Sequence, residues 1–301
     1  MCFELGKWIR SYYEGFLSTK YNPNEIYVRS SDVDRTLMSA EAVLAGLYPP
    51  YGENIWADGL AWQPVPVHTV PKEYDLLFAE HQPCPRIDQL DRQVRESEYM
   101  RESVYGSNKD LFHYISHHSG WNITSVEQLS AVYDALAVET IHNKTLPAWT
   151  QEIFPGGKFD QLRKLSFVHD TFNNELKKLK AGPFLNDLLS HYSNLASGDA
   201  RSASLKKMYM YSAHDISLTR VLTSLGVYSY HPPPYASMLI FSLLDQDGWK
   251  VSISYRNDTT SQPHSLTLPG CQQLCPLEMF EEITREFRPQ DWEEECRIRD
   301  Q

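Results

Sequence analysis

Residues 207–215 read KMYMYSAHD, and residues 215–226 continue as DISLTRVLTSLG. The first run is apolar and of strand length, while the second has helical spacing and ends at Gly226. A strand that runs directly into a helix sets side chains at the carboxyl edge of a sheet, where α/β proteins keep their ligand sites. His214 and Asp215 fall at that junction. An imidazole that can hold negative charge, beside a carboxylic acid that can give a proton, suits hydrolysis of an anionic ester.

A second junction of the same kind lies upstream. Glu25 to Ser30 alternates, with Ile26 and Val28 on one side, and DRTLMSAEAVLAGL (34–47) follows as a helix that Ser31 or Asp32 can cap and Pro49-Pro50 ends. Arg29 ends this strand. Backbone N–H groups at a helix start attract anions, and an arginine fork adds two charge-assisted hydrogen bonds to phosphate, so Arg29 is the candidate anion clamp. Arg35, one turn into the helix, is assigned to an ion pair.

Away from these junctions the pattern is simpler. Leu5, Trp8, Ile9, Tyr12 and Phe16 mark one helix face over 3–17, and residues 51–72 form an irregular Trp- and Pro-rich excursion. From 85 to 200 the spacing is helical. The stripe Phe159, Leu162, Leu165, Val168, Phe172, Leu176 and Leu179 reads as one helix, which puts the competing pair His169-Asp170 on its solvated surface. A hairpin follows, SMLIFSLL (237–244) turning at Asp245-Gln246-Asp247-Gly248 into WKVSISY (249–255). The fold class is α/β, with a mixed, mainly parallel central sheet flanked by helices. Residues 1–84 and 201–301 make the core, and 85–200 an inserted, smaller, all-helical domain.

Bulk properties narrow the function. The 301 residues carry a formal net charge of −11, which argues against a nucleic-acid partner. No apolar run reaches about 18 residues, so no membrane span is expected. The N-terminus, MCFELGKWIRSYYEGF, has no continuous apolar core and is not a signal peptide. Yet sequons occur at Asn122, Asn143 and Asn257. Of five cysteines, Cys271 and Cys275 form a C-x₃-C pair, read as a small disulfide loop because no second close Cys/His pair completes a zinc set. His113, His117 and His118 have helical metal spacing but no third ligand, so no metal is assigned. No G-x-S-x-G, P-loop or dinucleotide fingerprint is present.

Seven stretches together resemble the histidine acid phosphatase family, in particular its prostatic and lysosomal type. They are YVRSSDVDRTLMSAEAVLAGLYPP (27–50), WQPVPVHTVP (62–71), YSAHD (211–215), PPYAS (233–237), YRNDT (255–259), LPGCQQLCPL (268–277) and PQDW (289–292). The resemblance implies an acid phosphatase acting on a small phosphomonoester or a phosphoprotein through a phosphohistidine, without metal or organic cofactor. Arg29 would clamp the phosphate, His214 would hydrogen-bond it, and Asp215 would protonate the leaving alcohol. It also implies disulfides Cys84–Cys296 and Cys271–Cys275, with Cys2 left free. Val138 and Met238 stand where the family carries a third cysteine pair. Asn143 and Asn257 fall at family glycosylation positions, and Trp62 and His68 in a segment that forms a homodimer contact. A lysosomal or secreted location follows.

One departure stands out. The family's nucleophile lies in an R-H-G-x-R-x-P motif on its first strand, and no R-H-G occurs here. The match begins downstream of that motif. The chain is therefore expected to be truncated at its N-terminus, by an alternative start or an incomplete gene reading, and to be inactive or nearly so. The alternatives are a phosphate-binding pseudophosphatase and a secreted binding glycoprotein.

Overall fold

The computed structural model describes residues 1–78, 82–198 and 204–298. The two junctions lie side by side in it. β1 (Ile26–Ser30) and β2 (Met208–Ser212) pair in parallel, from Ile26 opposite Met208 to Ser30 opposite Ser212. β1 leads to α2 (Asp34–Leu47) and β2 to α8 (Asp215–Ser224). Side chains alternate along a strand. Ile26 and Val28 therefore share one face, where α1 (Cys2–Tyr12) and α2 cover them with Ile9, Val43 and Leu47. Tyr27 and Arg29 take the other face together with Tyr209 and Tyr211. There α7 (Asn174–Ser197) presses on the sheet: the His191 ring stacks on Tyr209 at 3.7 Å, and the Tyr211 hydroxyl donates to Asp187 at 2.5 Å. The outer edge of β1 bonds to the backbone of His68, whose N–H donates to Val28 O at 2.9 Å and whose carbonyl accepts from Ser30 N at 2.8 Å.

The remaining strands form a separate ladder. β3 (Met238–Asp245) and β4 (Trp249–Arg256) make the expected hairpin, and β5 (His264–Leu266) and β6 (Leu274–Pro276) add to β4. The turn residues Asp247 and Gly248 have φ of 52° and 98°, values that suit a short polar residue and a glycine. The fold is mixed α/β, as the sequence indicates. Among the strands of the described residues, however, only β1–β2 is parallel, extended by a parallel bridge between Arg29 and His68, and the other three strand pairings are antiparallel. A tight turn returns the chain beside itself in the opposite sense, whereas parallel neighbours need a long crossover.

Between residues 85 and 197 every described element is helical: α3 (Pro85–Arg95), a π-helical stretch at Tyr99–Gly106, α4 (Ser107–Ser119), α5 (Val126–Ile141), α6 (Gly157–His169) and α7, with one short 3₁₀ turn. They bury a cluster around Met100, Ile115, Leu129, Phe159 and Leu176. α9 (Leu277–Thr284) covers the second ladder with the C-terminal half of α7, through Phe280, Leu185 and Leu189 against Val251 and Ile253. α7 thus serves both apolar clusters. α10 (Trp292–Glu295) returns to the helical cluster, where Cys296 is bonded to Cys84 across 212 positions. Cys271–Cys275 is also formed and Cys2 is free, as the resemblance implies.

Local signals explain where the sequence pattern misleads. The 159–179 stripe is two helices, because α6 stops at His169 and Asn173 caps α7, its side chain accepting from Leu176 N at 2.8 Å. The break carries His169 inward, to 4% exposure. α1 ends at Tyr12, short of residue 17. Neither Ser31 nor Asp32 caps α2, whose N-cap is Val33 without a side-chain bond.

α1 and α2 cross with backbones in contact. A Cβ on Gly6 would stand 1.9 Å from Val43 O, and one on Gly46 2.1 Å from Phe3 O. Gly6→Ala is expected to lower stability by about 3 kcal/mol through overpacking, read as a reduced urea midpoint. A midpoint equal to wild type would contradict the close crossing.

Candidate active site

The site grows out of the carboxyl ends of β1 and β2. His214 is the N-cap residue of α8: its side chain accepts from the Ser217 backbone N–H, and its own N–H meets Ser217 Oγ at 3.4 Å. From β1, Ser31 Oγ lies 3.0 Å from His214 Nε2. From the first turn of α2, Arg35 Nη2 lies 3.0 Å from His214 Nδ1. A guanidinium only donates. Nδ1 is therefore the acceptor, and the proton sits on Nε2, from which it is given to Ser31 Oγ. The imidazole thus meets one hydroxyl and one permanent cation.

Ser31 is itself held. Its Oγ shares a 2.8 Å hydrogen bond with Thr36 Oγ1, its N–H donates to Ser212 O at 3.0 Å, and Ser212 Oγ donates to Thr36 O at 2.8 Å. These bonds stitch the start of α2 to the end of β2. They fix the position of both His214 partners on a buried support, with Ser31 and Thr36 at 6% and 4% exposure.

Asp215 opens α8 and receives the Ile216 N–H at 2.8 Å. The residue is exposed, yet its carboxyl is pushed above the ordinary aspartate range. Desolvation is the main cause. The like charge of Asp134 on α5 adds to it, while the Ile216 N–H, His214 and Arg163 of α6 pull the other way. An aspartate that keeps its proton further up the pH scale can serve as a general acid. Two helices of the 85–197 region thus reach the rim of this carboxyl.

Arg29, the expected clamp, has an ion pair of its own: its Nη2 meets Asp75 Oδ1 at 2.6 Å, and its guanidinium lies over the Phe78 ring at 5.8 Å. The strand period puts it on the face of Tyr27. Arg35 holds no salt bridge among the described residues and faces His214 instead. Arg35, expected in an ion pair, thus reaches His214, and Arg29, expected as the anion clamp, pairs with Asp75. The signal for Arg35 was present in the sequence: a residue in the first turn of the helix after β1 stands at the sheet edge. Ser31, weighed only as a cap, is the other contact that sequence reasoning missed.

His214 and Asp215 are brought together with each other. Trp62 and His68 are both exposed; the His68 backbone lies beside the last residues of β1 and its ring stacks on Tyr27 at 4.7 Å. Asn122 and Asn143 are exposed and Asn257 is half-buried. Among the described residues no three His, Cys, Asp or Glu side chains are arranged to hold a metal ion, and no helix is long and apolar enough to cross a membrane.

Comparison with known proteins places this geometry. The model of the histidine phosphatase superfamily (branch 2) matches residues 2–259. Prostatic acid phosphatase of Bos taurus is 39% identical over 302 residues, covering 99% of this chain and 77% of that protein. The Homo sapiens counterpart is 39% identical over 98% of this chain and 76% of its own length. Lysosomal acid phosphatase of Xenopus laevis is 38% identical, covering 98% and 68%. Among solved structures, a Hafnia alvei phytase in complex with tartrate aligns with a TM-score of 0.71 at 17% identity, covering 99% of this chain and 87% of that one. A Citrobacter braakii phytase gives 0.68 at 17% identity, covering 99% and 88%. At such identity the structures speak for the fold alone.

The electrostatics of Asp215 give a signed test. Its carboxyl should titrate above an unperturbed aspartate in a carbon-detected NMR titration, and Asp134→Asn should lower the midpoint by removing the like charge. The folded state binds this proton more tightly than the unfolded chain. Asp215 alone therefore favours folding increasingly as pH falls through its folded pKa. A midpoint unmoved by D134N would rule out the electrostatic contact across the rim.

Proposed function

The chain belongs to the histidine phosphatase superfamily (branch 2), within its acid phosphatases, and from that premise we propose that its site takes the phosphoryl group of a phosphate monoester between Arg35, His214 and Ser31. The observation that carries the proposal is the convergence on one sheet edge of the Arg35 guanidinium, which holds no salt bridge among the described residues, the His214 imidazole and the Asp215 carboxyl. Arg35 neutralises charge on the phosphoryl oxygens, His214 donates a hydrogen bond to one of them, and the helix start adds backbone N–H groups. Asp215 gives its proton to the leaving oxygen as the P–O bond breaks, which avoids an alkoxide. In the second half of the cycle its carboxylate takes a proton from the water that attacks phosphorus. Arg29 supports β1 through Asp75 and contributes less to the anion.

The acceptor in the first step is the histidine of the R-H-G-x-R-x-P motif, forming a P–N bond. None of the 11 histidines here has that context. The second reading is a phosphate-binding relative without catalysis, and the lack of an R-H-G in these 301 residues favours it. The exposed Trp62 and His68 support a homodimer, and the sequons a glycoprotein of the lysosome or the exterior.

Calorimetry with inorganic phosphate, and an assay with a chromogenic phosphomonoester, test this. Arg35→Ala is expected to weaken phosphate about tenfold or more, a loss of about 1.4 kcal/mol per decade, and His214→Ala likewise, with a smaller effect for Arg29→Ala. Equal losses for Arg29 and Arg35 would return the clamp to Arg29. Rapid turnover abolished by His214→Ala would sink the claim that these residues alone lack a nucleophile.

A further inference from the structure

A group of buried charges lies behind the site and takes no part in the chemistry above. Asp170, in the break between α6 and α7, accepts from Arg220 Nε at 2.5 Å through Oδ2 and from Lys180 Nζ at 2.7 Å through Oδ1. Lys180 also meets Asp91 of α3 at 3.2 Å. Lys180 and Arg220 are only 6% and 7% exposed, and the Asp170 side chain 19%. The two cations hold the Asp170 carboxyl far below the usual range against the opposing effect of burial.

The placement of this group is informative. Arg220 belongs to α8, the helix whose first residues carry His214 and Asp215. Its Nη1 donates to Phe78 O at 2.9 Å, and Phe78 closes the turn whose Asp75 holds Arg29 of β1. Next to Asp170, Thr171 shares a 2.8 Å hydrogen bond with Thr223, one turn further along α8. The 170–171 break therefore grips α8 at two points, and through Phe78 the same helix is referred to β1. Isolated ion pairs in a fold interior are a poor source of net stability. A pair that sets the seat of a helix with reacting groups at its end has a different use.

We propose that Asp170 is a positioning residue: acting through Arg220, it seats α8 so that His214 stays within reach of Ser31 and Arg35. The proposal rests on the phosphate site above, and two readouts separate their failures. One is phosphate affinity by calorimetry. The other is the His214 imidazole titration by NMR, which reads its Ser31 and Arg35 contacts without any ligand.

In the full 301-residue chain, Asp170→Asn is expected to weaken inorganic phosphate about tenfold or more (about 1.4 kcal/mol per decade) and to shift the His214 titration. Lys180→Met, which removes the cation not on α8, should lower the melting temperature while leaving both readouts near wild type. Should Asp170→Asn fail to fold, the double variant Asp170→Asn/Arg220→Gln removes the pair together and leaves Lys180 to Asp91. It should show the same two changes, and Arg220→Lys alone, which keeps a cation for Asp170, should show smaller ones. If the folded Asp170 variants change only the melting temperature, the positioning role is wrong. If wild type binds no phosphate, the anion site is wrong, and the His214 titration still decides the role of Asp170.

Discussion

The parallel register of β1 and β2 is the constraint on which the rest depends. With Ser30 opposite Ser212, two strands end level and two helices start level. Ser31, Thr36 and Ser212 then close a ring of short bonds between the first turn of α2 and the last residue of β2. Everything with chemical potential is placed by that ring: Arg35 by the turn that Thr36 anchors, His214 by the two residues after Ser212. A slip of one residue would invert the faces of either strand. Tyr209 and Tyr211 would then enter the apolar cluster under α1, and the site would lose its floor.

Much of this was legible in the residues. The two strand-to-helix junctions, the hairpin turn and the helical run after 85 each carry local signals: alternation, capping or a turn glycine. The His214-Asp215 pair was legible because the chemistry and the edge position coincide. What escaped was decided by direction rather than by type. Arg35 was read as an ion-pair residue, and its contact with His214 follows from the direction in which the first turn of α2 leaves the sheet edge. A local competitor also escaped. Asn173 offers a cap strong enough to end a helix stripe that hydrophobic spacing alone would continue, and the resulting break turns His169-Asp170 from surface into interior.

The mixture of ladders reflects two economies of chain. The parallel pair is joined by 177 residues, from Ser31 to Lys207, and most of the described ones are helical. That crossover supplies Asp134 and Arg163, which bear on Asp215 from outside the sheet. The β3–β4 hairpin needs only the three residues 246–248 between its strands and contributes packing, not reacting groups. Helices remote in sequence thus adjust the acidity of a carboxyl whose position they do not set.

The Cys84–Cys296 bond makes most of this chain a closed ring. Both strands' partners after residue 84, the whole helical region and α8 lie on it, while β1, α2 and Arg35 lie on the arm outside. One proteolytic cut between residues 84 and 296 opens the ring without releasing a fragment. The halves of the site therefore stay tethered through a nick that would scatter a linear chain. In a degradative compartment, persistence of the molecule would then be governed by reduction of that one bond rather than by the first peptide cleaved.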